Sequence, residues 1–194
     1  MSRKSREWYP NVVMHITSRG NHRNDIFRYD EDYEFYIISL EECVKYFNSE
    51  FEILGYTLMT NHIHLQIQTK EKHIGFFMKR LNNFYAKYFN NKYNYIEHLF
   101  QERYGSEIIN NDKYMLETSR YIHLNPVRAN MVKKPEEYEW SSYCMYIGKR
   151  KERIINSESI LSYFKKENCR ELYKGYVESS IKTNSFEKLE EEEG

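Results

Sequence analysis

The sequence has few cysteines and no long apolar run, and each of these absences excludes a class of protein. Its 194 residues include only three cysteines, which are widely spaced and form no CxxC pair: Cys43, Cys144 and Cys169. Neither a zinc ribbon nor a disulfide framework is therefore indicated, and a reduced, cytoplasmic compartment is expected. No stretch approaches the roughly 18 apolar residues of a membrane-spanning helix, and the N-terminal residues lack an apolar signal core. We expect a protein that is neither exported nor inserted in a membrane.

The sequence also lacks net charge, because 29 Lys and Arg residues balance 29 Asp and Glu residues. A neutral chain at first argues against nucleic-acid binding. The charge is unevenly distributed, however: residues 1–28 carry +4 and residues 70–134 carry +6, whereas residues 29–69 carry −7 and residues 135–194 carry −3. The two basic segments could attract phosphates if they meet in the fold, although they could equally be ordinary solvated charges.

Apolar and aromatic residues are plentiful by contrast. Hydrophobic residues make up 40% of the chain, which is enough to build a core without support from disulfides or oligomerisation. Tyrosine is unusually frequent, at 19 residues against 7 glycines and 3 prolines. Most of these tyrosines are expected to be half-buried core or surface aromatics, so a tyrosine has no functional meaning by itself.

Hydrophobic periodicity predicts the element order β-α-β-β-α-β-α. The predicted strands lie at residues 12–18, 51–59 and 62–69 and within 99–109 near Arg103, and the predicted helices lie at about 30–47, 74–91 and 112–124. The third helix is expected to end near Asn125, because Pro126 disfavours helical geometry in the residue before it. This order is typical of an α+β fold with the ferredoxin-like plan, in which helices pack on one antiparallel sheet.

The composition and periodicity of the sequence change at about residue 150. The predicted domain covers residues 1–149, and the chain after it is charged and only moderately periodic. We expect a C-terminal helical extension over residues 150–189, with short helices near 160–164 and 172–176. Residues 190–194 form an acidic tail that is expected to be disordered.

Two histidines alternate with apolar residues in the third predicted strand. In a strand, residues i and i+2 point to the same face about 7 Å apart, so His62 and His64 could both reach one ion. Imidazole is a common metal ligand, and a sheet is a rigid platform for it. The alternative is a pair of solvated or hydrogen-bonded surface histidines.

A tyrosine and an asparagine share one face of the third predicted helix. Tyr121 and Asn125 stand four residues apart, which places them about 6 Å from each other along the helix axis. The amide oxygen of Asn125 could serve as a hard metal ligand beside the tyrosine hydroxyl. The alternative is that Tyr121 is one more core or surface aromatic and that Asn125 is merely a cap before proline. Spacing alone favours this alternative.

Several stretches taken together resemble a known family, the single-tyrosine HUH transposases, and more closely the REP-associated tyrosine transposases of bacteria. The similar stretches occur in the right order and spacing over about residues 10–147, and they are 16–21, 58–65, 99–103, 121–128 and 140–143. Two positions depart from the family pattern, since Thr60 and Glu102 stand where proline and glycine are usual. Neither change replaces a chemical group, so both bear on loop geometry rather than on catalysis.

The resemblance implies specific roles. In that family the paired histidines bind a divalent metal ion, the helix tyrosine is the nucleophile, and a polar residue four positions later completes the metal site. It therefore implies that Tyr121, His62 and His64 are catalytic and that His62, His64 and Asn125 bind the metal. Two imidazoles could hold Zn²⁺ or Ni²⁺, but an amide oxygen, a phosphate and open positions suit Mg²⁺ or Mn²⁺ better.

The implied activity is cleavage and rejoining of single-stranded DNA at hairpin-forming repeats, through a covalent 5′-phosphotyrosine. A metal ion polarises the phosphate, and a covalent intermediate stores the energy of the cleaved bond until another strand attacks it. His123 lies about 200° around the helix from Tyr121, which is a poor position for a base. We expect His123 to be structural or to bind the DNA backbone.

The expected partner is single-stranded or hairpin DNA, with no membrane, and a monomer is expected rather than a homodimer. The candidate DNA-binding residues are polar or basic and lie near matched motifs or on the second helix: Arg19, Asn21, Arg23, Arg80, Lys87, Arg103 and Arg128. Arg19 and Arg103 are the preferred candidates, because they lie within matched motifs. For each residue the alternative is a solvated charge.

Two other functions remain open from the sequence. The first is a domesticated module that binds DNA or RNA hairpins without cutting them. The four residues His62, His64, Tyr121 and Asn125 argue against it, because binding alone does not need them together. The second is a metal hydrolase that uses water as its nucleophile, and it predicts that Tyr121 is dispensable.

Overall fold

The computed structural model describes residues 7–192, with side chains described from residue 7 to residue 181. The elements follow the predicted order as far as the third long helix and continue with three further helices. They are β1 (Val13–Arg19), α1 (Asp30–Tyr46), β2 (Phe51–Met59), β3 (His62–Thr69), α2 (Ile74–Tyr93), β4 (Gly105–Ile109), α3 (Asp112–Arg128), α4 (Tyr143–Tyr146), α5 (Glu158–Leu161) and α6 (Cys169–Glu192). The predicted α+β fold, with an antiparallel sheet and a helical C-terminal part, is confirmed.

The four strands form one antiparallel sheet in the order β2-β3-β1-β4. Strands β2 and β3 form a hairpin joined by two residues, and β3 pairs with β1 so that Thr17 faces His64 and Arg19 faces His62. Because side chains alternate along a strand, these residues share one face of the sheet, while Ile63 and its apolar neighbours point to the other. We call the face that carries Thr17, Arg19, His62 and His64 the histidine face.

Helices α1 and α2 cover the apolar face. Phe77 of α2 lies against Phe51 of β2, with 5.0 Å between the ring centroids. The start of α1 is joined to the end of α2 by the buried carboxylate of Asp32, which accepts hydrogen bonds from Lys92 Nζ and Tyr93 Oη at 2.8 and 2.7 Å. The two helices and the sheet thereby enclose the main core.

Helix α3 covers the histidine face, so both faces of the central strands are buried. Gln66 Nε2 in β3 donates to the carbonyl oxygen of Met115 at 3.2 Å, and Thr57 Oγ1 in β2 donates to that of Ile122 at 2.8 Å. These bonds fix the helix across the sheet. Of the alternating polar side chains of β3, His64 and Gln66 are therefore buried, while His62 and Gln68 remain partly exposed.

The predicted end of the third helix near Asn125 is wrong, because α3 continues through Pro126 to Arg128. Proline has no N–H to donate to the carbonyl four residues earlier, which is that of Ile122. The buried hydroxyl of Thr57 donates to this same carbonyl and replaces the missing hydrogen bond. A contact from the sheet therefore allows the helix to extend beyond the proline.

The C-terminal part packs against β2 and α3. A parallel bridge between Ile53 and Ile155 covers the outer edge of β2, and α6 contributes Tyr173 to the core. His123 of α3 is fully buried, with Nδ1 2.6 Å from Tyr173 Oη and Nε2 2.7 Å from Ser142 Oγ. Of the two roles expected for His123 only the structural one agrees with this burial.

Two further predictions from the sequence concern the C-terminal tail and the lack of a membrane-spanning helix. Helix α6 extends to Glu192 and so into the acidic tail predicted at residues 190–194, of which residues 193 and 194 lie outside the described part of the chain. Within the described part of the chain, no helix combines the length and the apolar character needed to cross a membrane.

Candidate active site

A cleft of about 740 Å³ lies between the histidine face and helix α3. Strands β1, β3 and β4 form its floor, α3 forms one wall, and the loop at residues 101–103 borders it. The structure brings His62, His64 and Tyr121 together in this cleft. Residues of β3 and α3, the fourth and seventh of these elements in chain order, are thus neighbours because α3 docks on the sheet.

The tyrosine lies directly beside the histidine pair. The ring centroids of Tyr121 and His64 are 5.5 Å apart, and those of His62 and His64 are 5.0 Å apart, each with the rings nearly perpendicular. His64 is 5% exposed, whereas Tyr121 is 38% exposed. A substrate in the cleft can therefore reach the tyrosine while the histidine stays held within the protein.

Both histidines are neutral at pH 7. Burial, with a smaller effect of the Arg19 charge, lowers the pKa of His62 from its ordinary value of 6.5 to about 4. Burial, together with His15, His62 and Arg19, lowers the pKa of His64 to about 2. A neutral imidazole retains a lone pair on one ring nitrogen, which is the form that binds metal ions.

The ring nitrogens that could bind a metal are identifiable from their surroundings. His62 Nδ1 lies 2.7 Å from Asn61 Oδ1, and His64 Nδ1 lies 2.9 Å from His15 Nε2. Among the described residues neither Nε2 atom has a hydrogen-bond partner. The two imidazoles therefore fit a divalent metal through Nε2, with Nδ1 held by the protein.

Asn125 does not join this group. Its Nδ2 donates to the carbonyl oxygen of Tyr121 at 2.9 Å, and it is not one of the residues that line the cleft. Within the described part of the chain, no cluster of three His, Cys, Asp or Glu side chains is arranged to hold a metal ion.

The candidate DNA-binding residues fall into two groups. Arg19 and Arg103 line the cleft, with Arg103 in the loop before β4 rather than in a strand. The guanidinium carbon of Arg128 lies 5.1 Å from the centroid of the Tyr121 ring. The cleft also contains carboxylates, including Glu102 and Glu107, so it is not uniformly basic.

The remaining candidates lie outside the cleft. Asn21 and Arg23 belong to a short 3-10 helix after β1. Arg80 stacks over the ring of Tyr46 at 3.6 Å, and Lys87 lies on the outer surface of α2. Because α2 covers the apolar face of the sheet, Arg80 and Lys87 are on the opposite side from the histidines.

His15, which contacts His64 from the neighbouring strand, was not predicted from the sequence. A signal was present, because His15, Thr17 and Arg19 alternate along β1 in the same way as His62 and His64 alternate along β3. Only the strand register shows that the two alternating rows share one face. Glu107 of β4, which pairs with His15, was missed for the same reason.

The chain is similar to known transposases in its sequence and in its fold. Residues 9–125, more than half of the chain, match the family described as transposase IS200 like. No curated protein sequence is significantly similar to the chain. The fold is similar to that of a REP-associated tyrosine transposase solved bound to a REP hairpin, with a TM-score of 0.63 and 19% identity over 82% of this chain and 93% of that chain. At this identity the likeness shows a shared fold.

A weaker likeness links the chain to a proposed transposase from Deinococcus radiodurans R1. The TM-score is 0.44 at 16% identity, over 62% of this chain and 95% of that chain, which is too low to support an argument. The family match rests instead on the sequence itself and covers β1, the hairpin of β2 and β3, and α3 as far as Asn125. The chain therefore belongs to the IS200-like transposase family.

Proposed function

We propose that this transposase cleaves and rejoins single-stranded DNA at hairpin-forming repeats, with Tyr121 as its nucleophile. The observation that carries the proposal is the position of Tyr121, which is accessible in the cleft and 5.5 Å from the ring of His64 of the same chain. A tyrosine that served only the core would have no reason to stand exposed beside two neutral histidines. The geometry therefore supports a reaction at the tyrosine hydroxyl.

The proposed cofactor is Mg²⁺ or Mn²⁺, held by His62 and His64 through Nε2. When bound, such an ion polarises a phosphate and neutralises its non-bridging oxygens. Asn125 is proposed as a further ligand through Oδ1, because its described hydrogen bond uses only Nδ2. For this role the Asn125 side chain must turn from the helix towards the cleft.

The covalent step proceeds by exchange of one phosphate ester for another. Tyr121 Oη loses its proton and forms a bond to phosphorus, while the bond from phosphorus to the 3′ oxygen breaks and that oxygen gains a proton. In rejoining, a 3′-hydroxyl attacks the phosphotyrosine and the Tyr121 hydroxyl is regenerated. The proposed phosphate contacts near this step are Arg19 and Arg103 on the cleft and Arg128 beside the Tyr121 ring.

The other candidate DNA contacts are proposed for parts of the substrate away from the reacting phosphate. Asn21 and Arg23 lie beside the hairpin turn that precedes His62, since Asn61 Nδ2 donates to the carbonyl oxygen of Arg23 at 3.1 Å. Arg80 and Lys87 lie across the sheet and could contact only a distant part of a hairpin. A loss of cleavage is therefore expected mainly from the cleft residues.

We also propose that a monomer suffices and that Tyr121 acts with the histidines of its own chain. The tyrosine helix is tied to its own sheet by the bond from Thr57 to Ile122, and to α6 by the buried contact of His123 with Tyr173. Both contacts of the tyrosine helix are thus made within one chain. We assign the 150–189 extension a supporting role, because α6 belongs to it.

The test uses hairpin oligonucleotides with randomised single-stranded flanks, incubated with the protein and Mn²⁺. A covalent protein–DNA adduct is expected, and Tyr121→Phe should abolish the adduct while DNA binding persists. Cleavage without an adduct in both proteins would instead favour water as the nucleophile. Binding without cleavage by the unmodified protein would favour a module that only recognises hairpins.

A further inference from the structure

We propose that His15 and Glu107 are positioning residues that make His64 a metal ligand by fixing which of its ring nitrogens carries the proton. The inference rests on the proposed function, in which His64 binds the metal. Neither residue has a role in the chemistry described so far. Both lie in the cleft: His15 is on β1, the strand next to that of His64, and Glu107 is on β4, which pairs with the other edge of β1.

The contact between the two histidines is direct. His15 Nε2 lies 2.9 Å from His64 Nδ1, the ring planes are inclined by only 16°, and the His15 side chain is 11% exposed. At this distance the two nitrogens share one proton in a hydrogen bond. Because water has little access, the donor and acceptor are decided by the protein around them.

Only one direction of this bond leaves His64 able to bind a metal. If His15 donates from Nε2, then His64 Nδ1 is the acceptor, and the single proton of the neutral His64 ring sits on Nε2 and blocks it. If His64 donates from Nδ1, its Nε2 keeps a lone pair for the metal. The second arrangement requires the proton of His15 to be on Nδ1.

Glu107 favours this second arrangement. Its Oε2 lies 3.8 Å from His15 Nδ1, and Tyr114 Oη donates to the same oxygen at 2.8 Å and holds the carboxylate in place. A negative charge beside Nδ1 stabilises a proton there and disfavours a lone pair. Glu107 thus selects the His15 tautomer that accepts from His64.

In the neighbouring His62, the ring nitrogen that carries the proton follows directly from its hydrogen-bond partner. Its Nδ1 lies 2.7 Å from Asn61 Oδ1, and the amide group of Asn61 is oriented by its own bond from Nδ2 to the carbonyl oxygen of Arg23. An amide oxygen can only accept, so the His62 proton is on Nδ1 and its lone pair is on Nε2. The cleft therefore holds two imidazoles prepared in the same tautomer by two different neighbours.

The first measurement is the affinity for Mn²⁺ by calorimetry, using the full chain without DNA. His15→Ala should weaken binding by roughly 10–100-fold, the effect typical of losing an outer-shell partner. His15→Gln should recover most of the affinity, because its amide oxygen accepts from His64 Nδ1. Glu107→Gln should weaken binding to a smaller extent, because the carboxylate is 68% exposed. The matched control is Glu117→Gln, which removes the same charge from the same cleft without contacting His15 and should change nothing.

The second measurement reads the tautomer directly. Nitrogen-15 NMR of the histidine rings in the metal-free protein should place the His64 proton on Nδ1, and Glu107→Gln should shift part of the population to Nε2. A proton on Nε2 of His64 in the unmodified protein would overturn the inference, whatever the affinities are.

The reference variant is His64→Ala, which separates this inference from the proposed function. If His64→Ala abolishes Mn²⁺ binding while His15→Ala and Glu107→Gln bind as tightly as the unmodified protein, the metal site stands and the inference is refuted. If His64→Ala itself leaves the affinity unchanged, the proposed metal site fails and the inference fails with it.

Discussion

The hydrogen bond from Thr57 to the Ile122 carbonyl, which replaces the bond that Pro126 cannot make, should contribute measurably to the stability of the protein. Thr57→Val keeps the shape and β-branching of a fully buried strand residue but removes the only donor described for the carbonyl oxygen of Ile122. Because Pro126 has no N–H, the helix offers no replacement. A buried carbonyl left unpaired costs about 1–3 kcal/mol, and this is the loss we expect in the free energy of unfolding.

A second substitution isolates the cause. Pro126→Ala restores an N–H that can reach the Ile122 carbonyl from within the helix, so Thr57→Val should cost much less in that background. The coupling energy from the double-mutant cycle should be roughly 1 kcal/mol or more. The matched control is Thr118→Val on the same helix, because Thr118 is buried and its hydroxyl has no partner among the described residues.

The assay is urea unfolding of the four proteins of the cycle and of the control variant. Thr118→Val should be neutral or stabilising, which shows that removal of a buried hydroxyl is not harmful in itself. An equal loss from Thr57→Val with and without the proline would refute the reasoning. It would mean that the hydroxyl matters for another reason, such as its 3.1 Å contact with Ser141 Oγ.

Two further predictions concern pH and DNA. Burial lowers the pKa of His123 from 6.5 to about 3, so the unfolded chain binds a proton that the folded chain refuses. The free energy of unfolding should therefore fall as the pH drops from about 6.5 towards 3, and His123→Gln should flatten this slope in urea titrations at several pH values. Arg103→Ala should weaken hairpin binding and reduce the slope of log affinity against log salt by about one, whereas Arg80→Ala, on the far side of the sheet, should leave the cleavage rate unchanged. Equal effects of the two arginine variants on cleavage would contradict the placement of the substrate in the cleft.

The sheet was largely predictable because its signals are local. The alternation of residues 62–69 and the short connection before them predicted the strands at 51–59 and 62–69 with the boundaries that the structure shows. The proline rule failed for α3 because the missing donor comes from Thr57, which is 65 residues away in sequence from Ile122. Local rules cannot anticipate a hydrogen bond that tertiary packing supplies.

The candidate site was predictable only in part for a similar reason. The spacing of His62 and His64 and the helix position of Tyr121 carried chemical meaning in the sequence, and the fold brings these three residues together. His15 and Glu107 carried none, because their relevance depends on the register of β1 with β3 and β4. Asn125 met the spacing rule, yet its amide bonds to its own helix, since spacing does not determine a side-chain rotamer.

The central claim is that Tyr121 becomes covalently attached to DNA, and peptide mapping tests it most directly. The protein is allowed to react with hairpin oligonucleotides in Mn²⁺, the DNA is digested to a short remnant, and the tryptic peptides are analysed by mass spectrometry. We expect a nucleotide joined through its 5′ phosphate to Tyr121 and to no other of the 19 tyrosines. Cleaved DNA together with unmodified Tyr121, or a remnant on a different residue, would contradict it.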